Sequence, residues 1–183
     1  MENQIQNEVW CTLSGGIDPV LVNRVFNFFS TLVNNHVQTV HLMLHSTGGY
    51  INDGVCLYNY FKNLPMNIVM YNSGNVSSIA VIVFLAANKR IGSKSSTFMI
   101  HKSHSSPAGG ITSAKLKELA SSLDIDNFRT EAILKEYVKL PEEKWLLHEI
   151  GDLTITAEEA KDYGLLHEVG NFSPPPNSQL FNI

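Results

Sequence analysis

The chain has few cysteines, no excess of basic residues and no long apolar segment. Its two cysteines, Cys11 and Cys56, lie far apart, which excludes a disulfide framework and a cysteine-rich metal site and suits a reducing compartment. Lys and Arg number 13 against 17 Asp and Glu, for a net charge of -4, so no general affinity for nucleic acid or anionic membranes is indicated. The longest apolar run, residues 79–87, is too short to cross a bilayer. The first residues hold no signal region, so we expect a cytoplasmic protein.

Apolar periodicity predicts alternating strands and helices within one domain, the pattern of an α/β fold with a mostly parallel sheet. The predicted strands are residues 8–14, 39–44, 67–71, 97–100 and 165–169. The predicted helices are residues 19–34, 52–63, 77–87, 112–137 and 141–148, and one that opens with capping-box spacing at Thr156 and ends at Gly164. The segment 171–183, with three successive prolines, is expected to be a flexible tail.

Two short segments rich in glycine and serine each follow a predicted strand and precede a predicted helix. They are residues 46–49, Ser-Thr-Gly-Gly, and residues 74–78, Gly-Asn-Val-Ser-Ser. Because parallel strands place such turns at one edge of the sheet, the free N–H groups of both following helices face that edge. A serine hydroxyl opposite glycine N–H groups is an arrangement suited to acyl transfer.

Ser78 is the candidate nucleophile of this arrangement. If Ser78 begins a helix, the N–H of Ile79 is unpaired and points to the same space as the hydroxyl. Gly49 can supply a second N–H, because a residue without Cβ allows a close approach. From the residues alone, a purely structural interpretation is favoured over the catalytic one. In it, Ser77 and Ser78 cap a buried helix, and Gly48 and Gly49 form an ordinary tight turn.

A nucleophilic serine needs a base, and the chain offers two neighbouring candidates. His101 follows the strand 97–100, and the chain from residue 88 is long enough to return it to the edge. Lys102 is the alternative, since serine–lysine hydrolases exist, but adjacent residues of a strand point to opposite faces and only one can face Ser78. A zinc site from His101, His104 and an aspartate is a further alternative, although this spacing in a loop defines no ligand geometry.

Four segments, in the same order, resemble motifs of the ClpP family, serine peptidases with a crotonase-like fold that form the proteolytic subunits of Clp proteases. Residues 46–49 are similar to the family's Ser-Pro-Gly-Gly turn, residues 74–79 to Gly-x-Ala-x-Ser-Met, and residues 99–101 to Met-Ile-His. Residues 152–165 resemble the segment that carries the family's catalytic aspartate. The resemblance extends from Val9 to Val169.

The resemblance implies repeated ββα units with a mostly parallel sheet and a projecting handle helix. A peptidase domain would then span residues 1–170, with its handle over about 103–148, followed by the tail. The catalytic triad falls on Ser78, His101 and Asp152, and the oxyanion donors fall on the N–H groups of Gly49 and Ile79, with no metal or cofactor. Three further acidic residues of the same stretch stay open as partners of the histidine: Asp124, Asp126 and Glu149.

The implied activity is hydrolysis of peptide bonds in unfolded polypeptides or short peptides, inside a ring of identical subunits that is a heptamer or a double heptamer. The substrate is expected to bind as an added strand along Gly48, Tyr50 and Ile51 on one side and Lys102 and Ser103 on the other. Two different functions stay open: a crotonase-like acyl-CoA hydratase or isomerase, which requires no triad, and a non-catalytic ring subunit of a Clp-type protease.

The chain departs from the family pattern at three places. Thr47 stands where the family has proline, Ile79 where it has methionine, and Lys102-Ser103 where it has Gln-Pro. Because the chain begins near the family's first core strand, we expect the N-terminal axial loop to be missing or very short. In the family, that loop lines the pore that admits substrate from an AAA+ ATPase unfoldase. Its expected absence argues against an unfoldase partner, although such a partner stays an alternative.

Overall fold

The computed structural model describes residues 7–107 and 109–183, which form nine strands and six helices. In chain order these elements are β1 (Glu8–Ser14), α1 (Pro19–Asn34), β2 (Thr39–His45), α2 (Ile51–Lys62), β3 (Asn67–Asn72), β4 (Asn75–Ser77), α3 (Ile79–Leu85), β5 (Lys89–Gly92), β6 (Thr97–Ile100), α4 (Ser113–Tyr137), α5 (Glu142–Ile150), β7 (Leu153–Thr156), α6 (Ala157–Asp162), β8 (Glu168–Val169) and β9 (Leu180–Asn182). None of the described helices is long and apolar enough to span a membrane.

Two sheets organise the chain. The larger has the strand order β8-β5-β3-β2-β1-β9, and every neighbouring pair in it is parallel. The smaller has the order β4-β6-β7, in which β4 and β6 are parallel and β6 and β7 antiparallel. This arrangement confirms the predicted α/β fold with a mostly parallel sheet.

The main core lies between the larger sheet and helices α1, α2 and α3. Alternate residues of β1 and β2, such as Leu13 and Leu42, point into it, and every residue of α3 is buried. Helix α1 begins at the predicted residue, because Pro19 suits the first turn and the Asp18 side chain accepts a hydrogen bond from the Leu21 N–H at 2.8 Å. The core therefore fixes the ends of the strands from which the candidate site is built.

The opposite face of the larger sheet carries a small aromatic cluster. Trp10 and His41 stack with ring centroids 3.9 Å apart, and His41 Nδ1 lies 2.9 Å from the Tyr71 hydroxyl. Phe172 packs against Trp10 and Tyr71 from the chain that follows β8. This cluster covers the face that the helices leave open.

The C-terminal segment differs from the flexible tail expected for residues 171–183. Its strand β9 pairs in parallel with β1, the Ile183 N–H donates to the Thr12 carbonyl at 2.9 Å, and the Ile183 side chain is buried. Phe181 packs against Phe28 of α1. The expectation was wrong because these apolar side chains cover the edge of β1, whereas the prolines, taken alone, suggested an open chain.

Besides β9, three short strands are absent from the predicted set: β4, β5 and β7. Each has three or four residues, too few to show a periodic pattern of their own. Helix α4 agrees with the predicted helix over residues 112–137 to within one residue, and only Leu134 within it is buried. The expectation about an axial loop concerns the segment before β1, and residues 1–6 of that segment lie outside the described residues.

Candidate active site

The three-stranded sheet brings Ser78 and His101 together. Strands β4 and β6 run parallel with Ser77 opposite Met99, and the Ser78 N–H donates to the Met99 carbonyl at 2.7 Å. Ser78 is the first residue after β4 and His101 the first after β6. Their side chains meet, with His101 Nε2 2.7 Å from Ser78 Oγ, a distance typical of a hydrogen bond.

The antiparallel pairing of β6 with β7 brings Asp152 to the other side of the imidazole. Ile100 pairs with Leu153, so the next position of the register sets His101 opposite Asp152. Directly opposite residues of an antiparallel pair project from the same face. The His101 Nδ1 to Asp152 Oδ1 distance is 3.4 Å, and the Asp152 side chain is 67% exposed.

Ser78 has a backbone conformation that is uncommon for a residue with a side chain. Its φ is 57° and its ψ is -135°, and helix α3 begins at the next residue, Ile79. Such a conformation costs on the order of 1–3 kcal/mol and is typical of functional sites. The conformation turns the hydroxyl toward His101 rather than over the helix start, where no side-chain cap forms.

Two glycines allow the turn after β2 to lie against Ser78. Gly48 has φ of 100°, and a Cβ there would lie 2.6 Å from the Ser78 Cβ. A Cβ on Gly49 would lie 2.1 Å from the Ile17 carbonyl oxygen. Any larger residue at either position would therefore displace backbone or the candidate nucleophile.

The backbone groups of these glycines are used differently. The Gly48 N–H donates to Ser46 Oγ and its carbonyl accepts from the Ile17 N–H, so both are engaged. Gly48 therefore lacks the free groups expected of a substrate-binding residue, and it serves as the contact surface for Ser78. The neighbouring bridge to Ile17 uses the Gly48 carbonyl and the Tyr50 N–H, which leaves the Gly49 N–H without an acceptor among the described residues.

A cleft of about 320 Å³ opens beside Ser78 and contains most of the expected substrate-binding positions. Its apolar wall consists of Ile79, Ile82, Ile100 and Leu134, and Gly49, Tyr50, Ile51, Lys102 and Ser103 also line it. A second groove of about 270 Å³ shares residues 49–51 and His104 with the cleft and continues along α4. Together the two form an extended depression that begins beside the candidate nucleophile.

Lys102 points away from Ser78, as the alternation of a strand predicts. Its ammonium pairs with Glu131 of α4 and, at 2.9 Å, with Glu149 of α5. Burial opposes the charge of Lys102, but the hydrogen bonds to the two carboxylates outweigh it and raise its pKa. The interpretation of Lys102 as the base is therefore wrong, because the amine is held as a cation beside two carboxylates.

The acidic residues that stayed open as partners of His101 do not contact its ring. Asp126 pairs with Arg129 at 2.8 Å, Glu149 pairs with Lys102, and Asp124 is exposed on α4. Asp152 is the carboxylate that lies against the imidazole. The structure therefore favours Asp152 as the group that orients His101.

The zinc site considered for His101 and His104 does not form among the described residues. The two rings lie near each other, with centroids 5.1 Å apart. Within residues 7–107 and 109–183, however, no group of three or more His, Cys, Asp or Glu side chains is placed to hold a metal ion.

Three residues of α4 and α5 reach the site without having been predicted there. The Asn127 side chain accepts a hydrogen bond from the Ser103 N–H at 2.7 Å, Glu131 binds Lys102, and His148 lines the cleft. Burial lowers the pKa of His148, whose Nδ1 has no hydrogen-bond partner in the described part of the chain. The spacing of Asn127 and Glu131, four residues apart on α4, was the one signal in the sequence that could have indicated a shared face.

Comparison with known proteins is consistent with this site. The family model described as Clp protease matches residues 1–172. The chain belongs to the Clp protease family. This confirms the resemblance that the four short motifs indicated.

Individual Clp protease relatives are distant but cover most of the chain. The ATP-dependent Clp protease proteolytic subunit 2 of Chlamydia muridarum is 31% identical over 83% of this chain and 75% of its own length. The subunit 2 of Pseudomonas aeruginosa is 24% identical over 86% of this chain and 78% of its own length. A solved structure of a ClpP1 mutant from Listeria monocytogenes superposes with a TM-score of 0.76 at 22% identity, covering 91% of this chain and 92% of its own, which confirms the fold.

Proposed function

We propose that this chain is a serine endopeptidase of the Clp protease family, with Ser78 as nucleophile, His101 as general base and Asp152 as the group that orients the imidazole. The observation that carries the proposal is the 2.7 Å contact between His101 Nε2 and Ser78 Oγ, with the Asp152 carboxylate on the far side of the same ring. A serine adjacent to a base that a third group orients is the general pattern of an activated nucleophile.

In this mechanism His101 Nε2 takes the Ser78 proton as Oγ attacks the carbonyl carbon of a peptide bond. The resulting imidazolium is stabilised by the Asp152 carboxylate and then gives the proton to the leaving amine. A water molecule, deprotonated by the same nitrogen, then hydrolyses the acyl-enzyme and restores Ser78. Each step moves one proton through a single atom of His101.

The N–H groups of Gly49 and Ile79 are proposed to hold the oxyanion that forms during the attack. Ile79 is the first residue of α3, so its N–H has no acceptor within the helix. The Gly49 N–H has no acceptor among the described residues, and both positions line the cleft beside Ser78. Two donors of this kind stabilise the charge that develops in the transition state.

The proposed substrate is an unfolded polypeptide or a short peptide bound in extended form. Residues 49–51 line one side of the cleft, where the Tyr50 N–H and carbonyl are bonded to Ile17 and Gly54 and the Gly49 N–H has no acceptor among the described residues. The proposed main-chain contact on this side therefore runs through Gly49, and contacts to the backbone depend little on the sequence of the peptide. The Ser103 N–H on the other side is already bonded to Asn127, so this edge is engaged by the handle. The proposed substrate contact there is with the cleft wall rather than with the Ser103 N–H.

We further propose a ring of identical subunits, a heptamer or a double heptamer, with the peptidase domain over residues 1–170 and α4 and α5 as its handle. Large apolar side chains are exposed on these two helices: Leu116, Ile125, Phe128, Leu146, Leu147 and Ile150. A cluster of this size on paired helices is typical of a protein–protein interface.

The two free thiols, Cys11 and Cys56, support a cytoplasmic location.

Labelling with a fluorophosphonate, followed by mapping of the modified residue, tests the proposal. We expect the label on Ser78, and no label on the Ser78→Ala variant. An unlabelled protein that turns over acyl-CoA thioesters would support the hydratase or isomerase function. An unlabelled protein without either activity would support a non-catalytic subunit.

Light scattering that gave a monomer near 20 kDa at micromolar concentration would contradict the ring.

A further inference from the structure

We propose that Lys102 is a positioning residue that holds the segment carrying Asp152 against the segment carrying His101. The inference rests on the proposed triad and adds a residue to it. Lys102 stands at one of the positions where this chain departs from the family pattern, so the resemblance, which placed it beside the substrate, does not supply a positioning role.

The position of Lys102 in the sheet is the first observation. The pairing of β6 with β7 ends at Ile100 and Leu153, so His101 and Asp152 lie just beyond the last paired residues. Lys102 follows on the β6 side, and its Nζ lies 2.9 Å from Glu149 Oε1. This ion pair therefore joins the two segments on the far side of the His101–Asp152 contact and closes the end of the sheet.

The second observation is how little else restrains Asp152. Its side chain is 67% exposed, and its 3.4 Å contact with His101 exceeds the roughly 2.7–2.9 Å that is usual for a bond between charged groups. The preceding residue, Gly151, has open space where a side chain would be. Because packing does not fix this carboxylate, the Lys102–Glu149 ion pair, whose carboxylate lies three residues earlier in the chain, restrains the position of Asp152.

The third observation is the anchor on α4. The Glu131 side chain is only 16% exposed and binds Lys102, while its other oxygen binds Lys135 at 2.9 Å. Four residues earlier, Asn127 binds the Ser103 N–H. Helix α4 thus holds both residues that follow His101, and the Lys102 ammonium joins three segments: the chain after β6, α4 and the end of α5.

The test is steady-state kinetics on a short fluorogenic peptide with Lys102→Met, which keeps the apolar stem and removes the charge. We expect kcat to fall between about 10- and 100-fold, because small displacements of catalytic groups have effects of this size, while KM changes by less than about twofold. Lys102→Arg should restore most of kcat. Glu149→Gln should resemble Lys102→Met, and the double variant should be no worse than either, as expected for partners in one interaction.

Lys135→Met is the matched control, because it removes the second partner of Glu131 and leaves the Lys102–Glu149 pair intact. Native mass and a thermal melt are measured on every variant. An unchanged kcat in Lys102→Met would overturn the proposal. So would a change confined to KM, which would make Lys102 a substrate-binding residue, or a loss of kcat explained by dissociation of the ring. Ser78 labelling of the parent protein separates these results from failure of the triad itself.

Discussion

The six-stranded and the three-stranded sheet differ in length, in burial and in what lies at their ends. In the larger sheet, β1 and β2 have 7 residues each and β3 is buried over all but its first residue. In the smaller one, β4 has 3 residues and β6 and β7 have 4 each. The larger sheet supplies more of the main core, although apolar residues of all three short strands also belong to it, and the residues of the proposed triad sit just beyond the ends of those short strands.

This difference predicts that stability depends more on the larger sheet and turnover more on the ends of the smaller one. Burial of long apolar strands contributes most of the hydrophobic free energy of folding. The short strands add fewer residues to the core, and their register brings the three side chains of the proposed triad together. Changes in the larger sheet should therefore alter the free energy of unfolding, and changes at the ends of the smaller sheet should alter turnover.

The largest expected effect is that of Ser78→Ala, which should lower peptidase activity by about 10⁴-fold or more, as loss of a triad member does. Steady-state kinetics measures it, and Ser77→Ala is the control that should keep most activity. Ser78→Gly should be equally inactive but more stable than Ser78→Ala, because glycine relieves the backbone strain at φ of 57°. Urea denaturation that showed the glycine variant to be less stable would contradict the strain argument.

Asp152→Asn should lower kcat on the order of 10³-fold, because the amide can hold His101 in the wrong tautomer and cannot stabilise the imidazolium. The fold should be unaffected, since the side chain is largely exposed. Asp124→Asn, at an exposed position of α4, is the matched control. Equal activity of the two variants would remove Asp152 from the triad.

Leu42→Ala tests the contribution of the larger sheet to stability. Leu42 is fully buried on β2, so its truncation should reduce the free energy of unfolding by about 2–5 kcal/mol while the folded fraction keeps its kcat. Ile155→Ala, at a fully buried position of β7, should reduce both the free energy of unfolding and kcat, because Ile155 lies in the core and β7 holds Asp152 in register. Denaturant melts and kinetics on the same samples measure the two effects. A large loss of kcat in Leu42→Ala would contradict the division between the sheets.

The smallest expected effect is on the pH dependence of stability. Burial lowers the pKa values of His41, His148 and His167 below the ordinary 6.5. The unfolded chain therefore binds protons more readily than the folded one, and stability should fall as the pH drops below about 6.5 through the lower values of the folded state. Urea midpoints at a pH of about 7.5, 6.5 and 5.5 measure this, and a midpoint that rose on acidification would contradict it.

Much of the larger sheet was predictable from the sequence. Strands β1, β2 and β3 and helix α1 have long apolar patterns, and their predicted bounds agree with the structure to within about a residue. The contact of His101 with Ser78 agrees with an estimate from chain length and strand alternation. The position of Asp152 was expected only from the resemblance, because β7 is too short to be recognised and its register could not be read.

The sequence by itself determined the α/β class, the family and the order of the motifs, because these depend on local periodicity and on short runs of residues. Only the tertiary structure decided how β6 and β7 align, that Lys102 turns to Glu131 and Glu149, and that the C-terminal segment becomes a strand. Such contacts join residues far apart in the chain. They depend on packing and on strand register, which no local pattern in the sequence encodes.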